Sequence, residues 1–170
     1  MKKIAVFVHD VFNEVELWVP YYRLLEEGYD IKIIGAGNKK DYASAKGLLV
    51  TADLISAECI DEDFHGVIIP GGYAPDKMRT DGATLEIVKK AFVNRRLIAA
   101  ICHGPWVLAS ADVLKGKKLT CVKNIKDDVI NAGGEYLDQE VVVDDNLVTS
   151  RAPVDLPAFC REIVKILKSK

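Results

Sequence analysis

Short runs of consecutive apolar residues alternate along the chain with longer amphipathic stretches. Ile4–Val8, Ile31–Ile34, Val67–Ile69 and Leu97–Ile101 are continuous apolar runs of the length that buried strands take. Leu48–Thr51 adds a shorter candidate strand. Between them, Asn13–Glu27 reads as a helix stopped by Gly28, with Pro20 predicting a bend or a shifted start. Ala83–Arg95 reads as a second helix with Leu85, Val88 and Phe92 on one face. After Cys102-His103-Gly104-Pro105 the pattern predicts a helix to Ala111, a strand over Lys118–Val122 and a short helix over Lys126–Ala132. Glu140–Val143 and Leu147–Ser150 flank Asp144-Asp145-Asn146, the pattern of a hairpin with a three-residue loop. Val154–Leu167 closes the chain as an amphipathic helix, with Leu156, Phe159, Cys160, Ile163 and Leu167 inward.

Strands that are apolar on both faces and alternate with helices imply an α/β fold with a mostly parallel sheet covered on both sides. No repeat, low-complexity tract or linker breaks residues 1–170, which read as a single domain. In such sheets, sites form beyond the carboxyl ends of the strands. Three loops leave strand ends there with unusual chemistry: His9–Glu16, Pro70–Asp76 and Cys102–Pro105.

Composition narrows the partners. Lys and Arg number 23 against 25 Asp and Glu, a net charge of -2, so no basic surface points to nucleic acid or an anionic membrane. The apolar run after Lys2-Lys3 ends at His9, too short for an export signal, and nothing approaches the roughly 18 apolar residues of a membrane span. A cytoplasmic protein is expected. Its cysteines, Cys59, Cys102, Cys121 and Cys160, are spaced 43, 19 and 39 residues apart, which is no zinc pattern. Free thiols in a reducing compartment, and no metal, are the simplest expectation.

Cys102 ends a strand and precedes a helix, so it occupies a tight bend, as the nucleophile does in serine hydrolases of analogous topology. Gly104 leaves room for neighbouring chain, Pro105 suits the first helical turn, and the helix start favours a thiolate. The alternative is a buried core cysteine, the reading that suits Cys59, Cys121 and Cys160. His103 is the candidate base, or else an exposed histidine at a helix start. No histidine follows it, so neither a papain-like nor a glutamine amidotransferase site can be built, since both take their His from downstream of the Cys. Glu16 is either the second half of a capping box with Asn13 or a carboxyl beside Cys102, held protonated by burial. Pro70-Gly71-Gly72 is a plain turn or a source of oxyanion-binding N–H groups. It does not match GxGxxG, and the carboxylates of the first loop would repel a flavin phosphate, so no cofactor is expected. Asp76, after Pro75, either favours a helix start or orients His103.

Ala99-Ala100-Ile101-Cys102-His103-Gly104-Pro105, Pro70-Gly71-Gly72-Tyr73-Ala74-Pro75-Asp76 and Phe12-Asn13-Glu14-Val15-Glu16-Leu17 together resemble the PfpI-type intracellular protease family. That family lies within the superfamily of the Parkinson-linked protein deglycase and shares its class I glutamine amidotransferase-like fold. Asp127–Gly133 and Ser150–Leu156 resemble it too, so the likeness runs nearly end to end. The His after the Cys resembles the PfpI branch; the Parkinson-linked branch usually has Ala. The resemblance implies a flavodoxin-like three-layer sandwich with a nucleophile elbow, and homodimers that often form hexamers with the site near a subunit interface. It implies Cys102 as nucleophile, His103 as base, Glu16 as the carboxyl touching the thiol, and the N–H groups of Gly72 and His103 as the oxyanion hole. Asp76 stands where the family usually has a Glu that reaches the His of a neighbouring subunit, and Asn13 stands where many members have a second Glu. The implied activity is that of a cysteine hydrolase acting on small carbonyls, glycated adducts or peptides. A small site suits small carbonyls better than folded protein. The alternative is a redox-sensing stress protein or chaperone in which Cys102 is oxidised.

Overall fold

The computed structural model describes residues 2–169. In chain order its strands are β1 (Lys3–Val8), β2 (Asp30–Gly35), β3 (Asp41–Ala43), β4 (Leu49–Thr51), β5 (Leu54–Ile55), β6 (Gly66–Ile69), β7 (Leu97–Ile101), β8 (Lys118–Leu119), β9 (Glu135–Tyr136), β10 (Val141–Asp144) and β11 (Leu147–Ser150). The helices are α1 (Glu14–Glu26), α2 (Ala74–Met78), α3 (Gly82–Val93), α4 (Pro105–Ser110), α5 (Lys126–Asn131) and α6 (Leu156–Ser169).

Seven strands form the central sheet in the order β10-β11-β7-β6-β1-β2-β5. Every pairing in it is parallel except the β10–β11 hairpin. The residues of β1, β6 and β7 that pair in the middle of the sheet have no solvent exposure, which is why they read as unbroken apolar runs rather than an alternation. Helices α1 and α6 pack together on one side, α6 also meeting β7 and β11, while α3 packs on β6 and β7 and against α4. The chain runs outward from β1 to β2 and β5, then returns to place β6 on the other side of β1. A crevice therefore opens beyond the carboxyl ends of β1 and β6, where the strand order reverses.

Several local expectations are corrected. Helix α1 continues through Pro20 because Leu17, Pro20 and Leu24 form its buried face. The inner face of α3 is Thr84, Ile87, Val88 and Ala91, with Leu85 and Phe92 only partly buried. Leu49–Thr51 belongs to a separate two-stranded antiparallel ribbon with β3, outside the main sheet. The strand at Lys118 stops at Leu119, where it pairs with β9. Beyond it the Thr120 N–H donates to Thr149 Oγ1 at 2.9 Å and the Val122 N–H donates to Cys102 O at 3.1 Å, drawing the chain behind the cysteine turn. The hairpin loop is two residues, since Asp144 pairs with Leu147, and Asp145 takes a positive φ of 56°. A 3₁₀ turn at Pro153–Asp155 delays the last helix to Leu156. There the Asp155 carboxylate accepts from Arg151 N and Nε at 3.2 and 2.9 Å.

Phe159 is fully buried under the sheet on α6. Phe159→Ala is expected to lower the unfolding free energy in urea by about 3–5 kcal/mol, from lost burial plus the cavity left behind. A change below about 1 kcal/mol would mean that α6 does not depend on this contact.

Candidate active site

The end of β7 turns sharply at Cys102, whose φ of 61° lies in the left-handed region. For a residue with a Cβ that conformation costs about 1–2 kcal/mol. It is held because both backbone groups are bonded across the fold: Cys102 N–H donates to Ser150 O at 3.0 Å, and Cys102 O accepts from Val122. Gly104 completes the turn, and only glycine fits, because a Cβ there would lie 2.6 Å from Ile69 O. The elbow expected from the sequence is present, but its electrostatics differ. Helix α4 begins only at Pro105, which has no N–H to offer. The donors that favour charge on the sulfur are the backbone N–H groups of Gly72 and His103.

Glu16 sits on the first turn of α1 with no solvent exposure. Half of the expected capping box forms: Asn13 Oδ1 accepts from Glu16 N–H at 3.3 Å. The return bond is absent, since Asn13 N–H donates to Gly71 O at 3.2 Å. The Glu16 carboxyl turns to the crevice instead, where Oε2 accepts from Gly71 N–H at 2.8 Å and Oε1 is buried without a hydrogen-bond partner of good geometry. A Cβ on Gly71 would lie 2.5 Å from Glu16 Oε2 and 2.6 Å from Cys102 Cβ, so acid and cysteine flank this one glycine.

Burial raises the Glu16 carboxyl to about 7, against the lowering effect of its bonds to Gly71 and Cys102. Burial first, and the charge of Glu16 second, push the Cys102 thiol up to about 12. Two buried acids in contact cannot both ionise easily. With Glu16 protonated, its repulsion of a thiolate vanishes and the carboxyl can donate to sulfur. The thiol must still lose its proton to a base as reaction begins. His103 Nδ1 lies 3.3 Å from Cys102 Sγ, a contact between adjacent residues that the left-handed turn makes possible. Burial lowers the pKa of His103, so the ring is neutral at pH 7 and able to accept that proton.

The loop before α1 is tied to this site. Tyr73 N–H donates to Val11 O at 3.0 Å, and Val11 itself has a φ of 64°, rare for a β-branched residue. Gly72, with a φ of 75°, bridges to Phe12, and a Cβ there would meet Val11 O at 2.5 Å. The structure thus brings together Cys102, His103, Glu16 and the N–H groups of Gly72 and His103. It does not bring Asp76 to them. That carboxylate is exposed and ion-paired with Lys77 at 3.4 Å, and only burial shifts His103. Cys59, Cys121 and Cys160 are buried free thiols.

Three site residues escaped the sequence reading in their roles. Gly71 stood only as one glycine of a turn. Tyr73 and Trp106, whose rings flank His103 at 5.5 and 5.0 Å, carried no pattern beyond standing next to motif residues. Among the described residues no helix is long and apolar enough to cross a membrane, and no group of three or more His, Cys, Asp or Glu converges as a metal site.

Comparison with known proteins agrees with the resemblance noted above. The model of the DJ-1/PfpI family matches residues 2–166. The chain is 46% identical over 167 residues to deglycase PfpI of Pyrococcus furiosus, covering 98% of this chain and 99% of that protein. It is 43% identical over 168 residues to protein/nucleic acid deglycase 2 of Escherichia coli, covering 98% of each. Among solved structures, a two-domain protein from Anabaena variabilis with DJ-1/ThiJ/PfpI-like and ferritin-like domains superposes with a TM-score of 0.94 at 39% identity. The match covers 99% of this chain and 48% of that one, so the chain spans about half of the two-domain protein.

The raised Glu16 has a consequence for stability. Its proton is held more tightly folded, at about 7, than at the ordinary 4.5, so the folded state binds more protons between these values and stability falls as pH rises through them. The Glu16 contribution reaches about 3 kcal/mol. Urea unfolding at pH 5 and pH 8 should show wild type losing about 2.5 kcal/mol more than Glu16→Gln. Equal pH dependence in the two proteins would mean that Glu16 is ionised throughout.

Proposed function

The chain belongs to the DJ-1/PfpI family, and from that membership and the geometry around Cys102 we propose that it is a cysteine-dependent hydrolase of small carbonyls and their glycation adducts. The observation that carries the reading is the His103 Nδ1 to Cys102 Sγ distance of 3.3 Å, with a buried carboxyl on the other side of the sulfur. In this reading His103 takes the thiol proton as sulfur attacks the carbonyl carbon. The S–C bond forms, the π pair moves to oxygen, and the imidazolium returns the proton there, giving a hemithioacetal. The Gly72 and His103 N–H groups that face the sulfur stabilise the negative charge that develops on the carbonyl oxygen, two bonds away. With a dicarbonyl aldehyde, a proton moved from the first carbon to its neighbour turns the hemithioacetal into a hydroxyacyl thioester without an external oxidant. Water then cleaves the thioester to a hydroxy acid and restores Cys102. An amine adduct of the same dicarbonyl releases the amine and yields the same acid. The names of the Pyrococcus and Escherichia relatives support deglycation over broad proteolysis. A reducing, cytoplasmic setting suits a reaction that needs Cys102 as a thiol.

Methylglyoxal and a fluorogenic peptide, each assayed by steady-state kinetics, test this. Cys102→Ser is expected to abolish turnover, and His103→Ala to lower kcat by about 10²–10⁴, while peroxide oxidation of Cys102 persists in the His103 variant. Turnover of the peptide alone would make the protein a peptidase. Full activity in His103→Ala would count against the scheme with His103 as base, and no turnover of either substrate by wild type would favour the redox-sensing alternative.

The partner this reading assigns is a second copy of the chain. An open groove of about 660 Å³ runs along α1 past Val15, Trp18, Val19, Tyr22 and Leu48. A second, of about 510 Å³, continues from Val15 and Val19 to Pro153, Leu156 and Pro157. Val15, Val19, Tyr22 and Leu48 are exposed together along the first groove, and an apolar face of that kind marks an association surface. Sedimentation velocity should show an oligomer in wild type and monomer for Val19→Glu; a wild-type monomer at micromolar concentration would refute the assignment.

A further inference from the structure

Among the described residues no carboxylate holds His103, yet its Nδ1 is aimed at sulfur. Two aromatic rings lie against the imidazole. Tyr73 stacks on one side with centroids 5.5 Å apart and planes at 27°. Trp106 packs against it at 5.0 Å and 51°. Trp106 is itself anchored, because its indole Nε1–H donates to Asp128 Oδ2 at 2.7 Å and the Arg79 guanidinium lies 5.5 Å from its ring centroid. Arg79 is held in turn by Nε–H donating to Ser110 Oγ at 2.9 Å. These contacts tie α2, α4 and α5 together around one imidazole.

We propose that Tyr73 and Trp106 are positioning residues that clamp the His103 ring, doing for its orientation what a hydrogen-bonded acid does in other cysteine and serine sites. This rests on the reading of His103 as base and adds how that base is aimed. An unclamped ring would rotate about its side-chain bonds, and Nδ1 would spend little time within reach of Sγ. The same two rings help to bury the imidazole, and burial is what lowers its pKa. Asp128 acts one step further out, by fixing the tilt of the indole. Both rings act through His103, which makes them positioning rather than catalytic residues.

The rate of Cys102 alkylation by iodoacetamide between pH 5 and 9, and the NMR titration of the His103 ring, test the clamp without any substrate. Trp106→Ala is expected to slow alkylation at pH 7 about tenfold and to move the His103 titration up toward 6.5 as water reaches the ring. Trp106→Phe, which restores a ring without the indole, should recover most of both. Tyr73→Leu removes a largely exposed side chain, so folding is spared, and should shift both readouts in the same direction by a smaller amount. Unchanged alkylation and titration in Tyr73→Leu and in Trp106→Ala would overturn the proposal, as would a Phe variant no better than Ala. Methylglyoxal turnover measured alongside separates the two readings: its absence in wild type with a clamp-dependent alkylation rate sinks the hydrolase assignment and upholds the clamp.

Discussion

Glu16 and Cys102 meet across Gly71, and the rest of the site is arranged around that close approach. The glycine has no room for a side chain on the face where the carboxyl oxygen and the cysteine Cβ lie. Its N–H binds one oxygen of Glu16, and its C=O accepts from the N–H of Asn13, the residue that caps α1. Any shift of the turn would displace the acid, the helix start and the cysteine together. The contact also confines two ionisable groups to one dry space, which is why both protons are held so firmly.

The sheet makes the contact possible. Reversal of strand order between β1 and β6 leaves a crevice at their carboxyl ends, and the neighbouring β7 delivers Cys102 to its edge. The sulfur needs a side chain on a left-handed backbone, and that strain is sustained by hydrogen bonds to β11 on one side and to the chain after β8 on the other. The same bend that lifts the thiol turns the next residue back toward it, so the thiol and the imidazole beside it come from consecutive positions. An arrangement of that kind leaves the imidazole short of a tether within its own chain, and the rings of Tyr73 and Trp106 fill the space around it.

Much of this was legible before the structure. The apolar runs gave the central parallel strands, because a strand buried on both faces has no polar positions to confuse the reading. Cys102, His103 and Glu16 were recognisable as candidates, and the strand–Cys–His–Gly–Pro order pointed to a bend. Short edges were not legible. Leu54–Ile55 and Glu135–Tyr136 are two-residue strands, too brief for any periodicity, and they are set by long-range pairing with Ile34–Gly35 and Lys118–Leu119. Asp76 is a different case, since its place along the chain says nothing of its surroundings, and within one chain it faces solvent beside Lys77.

The sequence by itself determined the fold class, the family likeness and the identity of the thiol, its neighbouring base and one acid, because these depend on apolar patterning and on residues adjacent along the chain. It left undecided whether Glu16 closed a capping box or entered the site, and which groups would face the sulfur. Only the tertiary structure decided that, by bringing residues 16, 71 and 102 within contact and burying the carboxyl between them. Protonation there follows from burial and from neighbours distant along the chain, and neither is written in any local stretch of sequence.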